Sequence, residues 1–183
     1  PTFELVFFLT MEAFGRVHFS QRIFSQWDQM SRREQVLHIK DQADLYIQTA
    51  KRYGHSAIFV QPNEMPSLEK TQWLCEEIRE QSGDEYFLMV HGDPTWAIPD
   101  GDTMVDFSLR MFQEPEKLNE ESQRRMDACL ELAAQLDQKG HLLDGFGLCS
   151  DYCFNTNPFY APEQFEELAV PYLKGVIDGY HDL

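Results

Sequence analysis

Short apolar runs alternate with longer amphipathic segments along the whole chain. The runs have strand length and lie at "FELVFFL" (Phe3 to Leu9), "AIFV" (Ala57 to Val60), "YFLMV" (Tyr86 to Val90) and "GFGLC" (Gly145 to Cys149). The last three do not alternate in polarity, which is typical of strands covered on both faces in a parallel sheet.

The segments between these runs have helical periodicity. The first extends from Ser31 to Gly54, with Ser31 and Glu34 at capping-box spacing and Gly54 suited to the C-terminal cap. A second helix is predicted from Ser67 to Gly83. The third connection, longer than the others, contains "TMVDFSLRMF" and then a helix from Pro115 that Gly140 closes.

The last predicted helix begins near Pro162 and runs to the end of the sequence. Its residues Phe165, Leu168, Tyr172 and Val176 share one face, and Pro171 is expected to kink it.

This order of elements is a strand followed by a helix, four times over, and it predicts an α/β protein with a parallel sheet. Two architectures fit, an open doubly wound sheet or the first half of a (β/α)8 barrel. The chain of 183 residues is read as one domain, residues 1–183. A full barrel takes about 250 residues, and the sequence ends inside a helix, so we expect the N-terminal half of a barrel.

Charge and cysteine content narrow the classes of function. The net charge is −16, which argues against nucleic acid and acidic membrane surfaces as partners, because both are bound through cationic side chains. Four scattered cysteines do not form a disulfide framework, and neither a signal peptide nor a long apolar span is evident. We therefore expect a cytoplasmic protein.

The residues that follow the predicted strands are the candidates for a binding or catalytic site, because ligands of parallel α/β proteins bind where strands lead into helices. Acids, an imidazole, a guanidinium and aromatic rings all occur there. The set comprises Arg16, Gln61, Asn63, His91, Asp93, Trp96, Asp151 and Tyr152. Structural roles compete with these assignments.

Each competing role has a physical basis. For Asp93 and Asp151 the structural alternative is capping of loop N–H groups, since aspartate is a common local hydrogen-bond acceptor. His91 could be an ordinary residue at a strand end, and Arg16 could be a solvated surface cation. Trp27, Trp96, Tyr152 and Phe154 would suit either a flat ligand or packing beneath long loops.

Cys149 and Cys153 lack a matching pair at zinc-site spacing and are interpreted as core thiols. The stretch "GFGLC" has two glycines inside a predicted strand, which is the wrong context for a phosphate-binding GxGxxG loop and argues against nucleotide binding.

The stretch "DYCFNTNPFYAPEQFEELAVPYLKGVIDGY", which begins at Asp151, resembles the acid, irregular loop and "SPE-x-F…PYLK" helix of the uroporphyrinogen decarboxylase superfamily. Asp151, Pro158, Pro162, Pro171 and Lys174 lie in register with that pattern, and the residue before Pro162 is alanine instead of the usual serine. "HGDPTW" resembles the family's "GxPxT" turn, and "MEAFGR" resembles its "MRQAGR" segment. The family also contains cobalamin- and coenzyme M-type methyltransferases.

The resemblance implies the first half of a (β/α)8 barrel. The family carries out two reactions, decarboxylation and methyl transfer, and the residues in which this chain departs from the family pattern distinguish between them. Decarboxylases of the family carry an aspartate after the second strand that binds the pyrrole nitrogens of their substrate, whereas this chain has Gln61 there. The first arginine of "MRQAGR" is replaced by Glu12, so only Arg16 of that pair remains. Both departures weaken recognition of a polycarboxylated porphyrinogen.

The methyltransferase branch tolerates these replacements. Its chemistry, as the resemblance implies it, uses a zinc-bound thiolate and a methyl group carried on a corrinoid, with zinc ligands expected beyond residue 183 and none assigned within this sequence. The cofactor is otherwise unknown. The implied partners are a tetrapyrrole or a methylated small molecule, and a corrinoid protein.

The working hypothesis is a corrinoid-linked methyltransferase in which Asp151, His91 and Asp93 are catalytic and Arg16, Gln61, Asn63, Trp96 and Tyr152 bind substrate. The alternatives are a porphyrinogen decarboxylase with a modified active site and a non-catalytic α/β binding module. Half a barrel would expose strand edges, so we expect it to form a homodimer or to aggregate.

Overall fold

The elements of the fold follow the predicted order. The structure is a computed structural model that describes residues 2–3, 13–17, 27–60, 68–138 and 140–183. In chain order its elements are a 3-10 turn (Trp27–Gln29), α1 (Arg32–Tyr53), β1 (Ala57–Val60), α2 (Leu68–Ser82), β2 (Phe87–His91), α3 (Met104–Gln113), α4 (Pro115–Asp137), β3 (Gly145–Gly147), α5 (Pro162–Leu168) and α6 (Val170–His181).

The chain divides into two compact units, and each is made of two separate segments. Unit 1 contains Pro1–His91 and Leu136–Gly147, and unit 2 contains Gly92–Gln135 and Leu148–Leu183. Unit 1 therefore contains β1, β2, β3, α1 and α2. Unit 2 contains α3, α5, α6 and most of α4.

Unit 1 contains a parallel sheet in the order β1-β2-β3. Ala57 of β1 lies opposite Phe87 of β2, and Met89 of β2 lies opposite Gly145 of β3. All four residues of β1 are buried, as expected of a strand covered on both faces. The predicted α/β class with parallel strands is confirmed.

Helix α1 has the ends that its sequence predicts. The Ser31 hydroxyl accepts the Glu34 N–H, and the Glu34 carboxylate accepts the Ser31 N–H at 2.8 Å. At the other end Gly54 adopts a φ of +64°, in the left-handed region that favours glycine, and its N–H bonds to the Ala50 carbonyl. The predicted capping box and C-terminal cap are both confirmed.

Arg79 of α2 and Asp144 hold β3 beside β2. The guanidinium lies 2.5 Å from the Asp144 carboxylate and also donates to the Tyr86 carbonyl at 3.1 Å. The same carboxylate accepts the backbone N–H of Leu88 at 2.7 Å. One ion pair therefore links a helix, the strand β2 and the residue just before β3.

Several predicted boundaries are wrong. The strand expected from Tyr86 to Val90 lies one residue later, at Phe87–His91. The strand expected to reach Cys149 ends at Gly147. The single helix expected from Pro162 is two helices, α5 and α6, which meet at Ala169, a buried residue with non-helical φ of −121° and ψ of −52°. Pro171 lies in the first turn of α6, where its missing N–H breaks no helical hydrogen bond, so the chain starts a new helix instead of kinking an old one.

The first predicted strand, apart from Phe3, lies outside the described residues. Among the helices that the structure does describe, none combines the length and the apolar character that crossing a membrane requires.

Candidate ligand-binding site

A buried aspartate joins the two loops of unit 2 that follow β2 and β3 in the chain. Asp93 is 5% exposed. Its Oδ1 accepts the N–H of Thr95 at 2.9 Å and the hydroxyl of Thr95 at 2.5 Å. Its Oδ2 accepts the N–H of Ser150 at 3.0 Å. Hydrogen bonds to a charged acceptor are stronger than neutral ones, so Asp93 fixes both loops.

The hydroxyl of Thr95 extends this network towards Tyr152. It lies 2.5 Å from the Tyr152 hydroxyl and 3.1 Å from that of Ser150. Burial raises the pKa of Tyr152, and the nearby charge of Asp93 acts in the same direction. Tyr152 therefore remains a neutral phenol at physiological pH, where it serves as a hydrogen-bonding group.

Arg125 of α4 holds the other side of the same loop. Its Nε donates to the Pro94 carbonyl at 2.7 Å and its Nη2 donates to the Thr95 carbonyl at 3.0 Å. The guanidinium carbon also stacks 4.1 Å from the centre of the Trp96 ring. The Trp96 indole N–H donates to the buried hydroxyl of Ser122 at 2.9 Å, which fixes the orientation of the ring.

The rings behind Trp96 form the core of unit 2. Trp96 and Phe107 have ring centroids 5.5 Å apart, and the Tyr160 hydroxyl donates to the Trp96 carbonyl at 2.8 Å. The core residues are Phe107, Met111, Leu118, Tyr160 and Leu168, with Trp96, Tyr152, Phe159 and Phe165 packed against them. Trp96 is therefore part of a rigid aromatic wall.

A cleft of about 520 Å³ opens beside this wall. Its lining consists of Trp96, Ala97, Ile98, Pro99, Asp100, Thr103, Asp106, Phe107 and Arg110. The Ile98 N–H donates to the Asp151 carbonyl at 2.9 Å and ties the lining loop to the loop after β3. Arg110 pairs with Glu121 at 2.7 Å, so the cleft combines apolar walls with a few charged groups.

The long loop after β3 is an ordered hairpin. Cys153 and Pro158 form an antiparallel bridge, and the Phe159 N–H donates to the Tyr152 carbonyl at 2.9 Å. Within it, the Asp151 Oδ1 accepts the Cys153 N–H at 3.1 Å. The local capping role considered for Asp151 is thus present, on a side chain that is also exposed.

Of the predicted site residues, the structure brings Asp93, Trp96, Asp151 and Tyr152 together in unit 2. Arg16 belongs to unit 1, where its guanidinium donates to Asp44 at 2.7 Å and to the Asp41 carboxylate at 2.9 Å. Those bonds occupy the Arg16 side chain. A role for Arg16 in binding substrate stays a prediction.

The remaining predicted residues lie elsewhere. His91 is the exposed last residue of β2 in unit 1. Gln61 and Asn63 lie outside the described residues, as does Glu12. Trp27 packs in unit 1 with its ring centroid 6.1 Å from that of Trp73.

The interpretation of Cys149 and Cys153 as core thiols is wrong, because both are exposed. The reason is the early end of β3 at Gly147, after which the chain leaves the sheet. Partial desolvation of the exposed thiol by its surroundings, reinforced by the charge of Asp93, raises the pKa of Cys149, so this thiol is a weak nucleophile at neutral pH. Over the described ranges, no three His, Cys, Asp or Glu side chains are grouped so that they could bind a metal ion.

Arg125 and Ser122 were not identified from the sequence. Their spacing of three places them on one face of α4, but that spacing is common. A comparison with protein-family models, curated proteins and solved structures finds no significant match to this chain.

Proposed function

We propose that this chain forms part of a (β/α)8 enzyme of the uroporphyrinogen decarboxylase superfamily, and that its reaction is corrinoid-linked methyl transfer. One observation carries the proposal. The resemblance rests on "HGDPTW", which contains Asp93, and on the stretch from Asp151, which follows Ser150 directly. Asp93 and Ser150 are 57 residues apart in the sequence, yet the buried Asp93 carboxylate accepts the Ser150 N–H and joins the two loops. This contact supports the proposal that the two segments belong to one site.

The parallel order of β1, β2 and β3 also supports the proposal. Strands of this kind, connected through helices, are the repeating unit of a (β/α)8 barrel, and the active site of such barrels is built from the loops that follow the strands. The loops joined by Asp93 are two loops of that type.

The cleft beside Trp96 is the binding site in this proposal. Its volume of about 520 Å³ falls within the range of roughly 300–1,000 Å³ that is typical of small-molecule sites. Trp96 and Phe107 offer an apolar wall to a flat ligand, and Arg110 also lines the cleft. Asp151 is next to the lining, because its backbone carbonyl accepts the Ile98 N–H. A bound methylcorrinoid, which is larger than this cleft and would enter it only in part, would supply the methyl group.

The side chains divide into two roles. Asp93 has both oxygens engaged by Thr95 and Ser150 and acts by positioning the loops. Asp151 is exposed and uses Oδ1 for the Cys153 N–H, so its carboxylate is accessible to a polar group of the ligand.

The test is a titration of the chain with cobalamin, followed by the visible absorbance of the corrinoid. Ala97 is an exposed residue of the cleft, and Ala97→Trp would fill the cleft without disturbing the core. Ala128→Trp, at an exposed position of α4, is the matched control. We expect Ala97→Trp to weaken binding at least about tenfold, which corresponds to about 1.4 kcal/mol, and Ala128→Trp to leave it unchanged.

Equal binding by both variants would remove the cleft from the proposal. The reaction is tested separately, with methylcobalamin and a thiol acceptor in one assay and uroporphyrinogen in another. Loss of carboxylates from uroporphyrinogen without methyl transfer would replace the proposed reaction with decarboxylation. Binding without turnover in either assay would favour a non-catalytic binding module.

A further inference from the structure

Helix α3 carries a row of exposed apolar side chains, which we call the outer stripe: Val105, Leu109 and Phe112. Their exposed fractions are 66%, 49% and 77%. The spacings of four and three residues place them on one side of the helix. Phe112 has the largest exposed fraction among the large hydrophobic side chains that the structure describes.

The outer stripe is separate from the face that α3 packs into its own unit. Phe107 and Met111 supply that packed face, and both are buried in the core of unit 2. With about 100° of rotation per residue, the arc around the helix axis that contains both the packed face and the outer stripe is about 200° wide. A helix that packs against a single core has an apolar face of about 100° or somewhat more, and all three side chains of the outer stripe are exposed, so packing within unit 2 does not account for the outer stripe.

The charges around the outer stripe indicate what would cover it. Asp106 follows Val105 directly, Asp102 lies three residues before it, and both are exposed. The nearby cations are already paired, Arg110 with Glu121 and Lys117 with Glu114, each at 2.7 Å. A second copy of this chain would bring another charge of −16 to an acidic surface, whereas a basic partner would be attracted.

We propose that the outer stripe of α3 is a docking site for an amphipathic helix of another protein, whose apolar side chains are flanked by lysine or arginine. The partner's apolar side chains pack on Val105, Leu109 and Phe112, and its cations face Asp102 and Asp106. Recognition of this kind uses apolar anchors spaced along one helix face. The site does not depend on the reaction proposed above.

Two synthetic peptides of about 18 residues, long enough to be helical, test this proposal. Both carry leucine at the same amphipathic positions, and the polar positions are lysine in one and glutamate in the other. Binding is measured by fluorescence anisotropy with Phe112→Ser and, as a matched control, Leu37→Ser in α1, where Leu37 is 59% exposed. Circular dichroism establishes that each variant is folded.

We expect the lysine peptide to bind, Phe112→Ser to weaken that binding about tenfold, and Leu37→Ser to leave it unchanged. The glutamate peptide should bind more weakly. Asp106→Lys should weaken the lysine peptide and strengthen the glutamate peptide, which provides a second measurement independent of Phe112.

Equal effects of Phe112→Ser and Leu37→Ser would overturn the proposal, because the lysine peptide would then bind by general attraction to an acidic protein. Concentration-dependent dimerisation in sedimentation experiments, abolished by Phe112→Ser, would also overturn it by making a second copy the occupant. Binding of anionic vesicles that Phe112→Ser abolishes, without binding of either peptide, would assign the outer stripe to a membrane instead.

Discussion

Replacing the buried Asp93 by alanine tests whether this carboxylate holds the candidate site together. The change removes the acceptor for the N–H groups of Thr95 and Ser150 and for the Thr95 hydroxyl. A buried N–H left without an acceptor costs about 1–3 kcal/mol. Thr95 is 2% exposed and bears the full cost, whereas Ser150 is partly exposed and water can replace part of what it loses.

We therefore expect Asp93→Ala to lower the free energy of unfolding by about 3 kcal/mol, of which about 2 comes from Thr95 and about 1 from Ser150. Asp93→Asn keeps one oxygen and places an amide NH₂ where the other oxygen stood. It should cost less, about 1.5 kcal/mol, because one set of bonds survives.

Urea denaturation followed by circular dichroism measures these differences. Asp127→Ala is the control, since Asp127 is exposed on α4 and accepts only the side-chain N–H of Gln123 among its described contacts, at 2.8 Å. It should change stability by less than about 0.5 kcal/mol. The reasoning is refuted if Asp93→Ala is as stable as this control, since the buried hydrogen bonds would then contribute nothing.

Four smaller predictions follow from other parts of the fold. Leu118→Ala, at a fully buried core position, should cost about 2–5 kcal/mol in urea denaturation. Gly179→Ala should cost at most about 1–2 kcal/mol, because its new methyl group would displace the Leu130 side chain while alanine gains about 1 kcal/mol of helix propensity over glycine. Ser31→Ala should cost about 1 kcal/mol by removing the cap of α1, which Ser31→Asp should largely restore. Burial raises the pKa of Cys75 from 9.0 to about 12. The stability that the neutral buried thiol contributes is therefore complete below pH 9 and declines as the pH rises towards 12. Over that pH range the melting temperature of the wild-type chain should fall more than that of Cys75→Ala, and equal losses in the two proteins would contradict the prediction.

Signals that act within a few residues could be read from the sequence. The caps of α1 are of this kind, because the bonds of Ser31 and Gly54 close within four residues of each. The sequence predicts the strand Ala57–Val60 to the residue, because its short continuous apolar run is bounded on both sides by polar residues.

The end of β3 depends on a partner strand and could not be read locally. His91 is the last residue of β2 and pairs with Gly147. Because β2 ends there, none of the strands that the structure describes pairs with Leu148 and Cys149, despite their apolar character. The exposure of Cys149 follows from that distant boundary.

In the candidate site, too, residues marked by their local sequence could be predicted, and residues defined by distant contacts could not. Asp93 and Trp96 were identified because they follow a predicted strand. Arg125 was missed because its acceptors, the carbonyls of Pro94 and Thr95, lie 31 and 30 residues earlier. Nothing in the local sequence distinguishes it from its neighbour Arg124.

The division of each unit into two segments has a consequence for synthesis of the protein. The central strand β2 is complete at His91, but its neighbour β3 begins only at Gly145, after the first segment of unit 2 has been made. During translation β2 therefore waits with one edge unpaired until the nascent chain has grown by more than fifty residues. Pairings this remote in sequence form slowly, and an unpaired strand edge is the place where non-native strand pairing can occur during that interval.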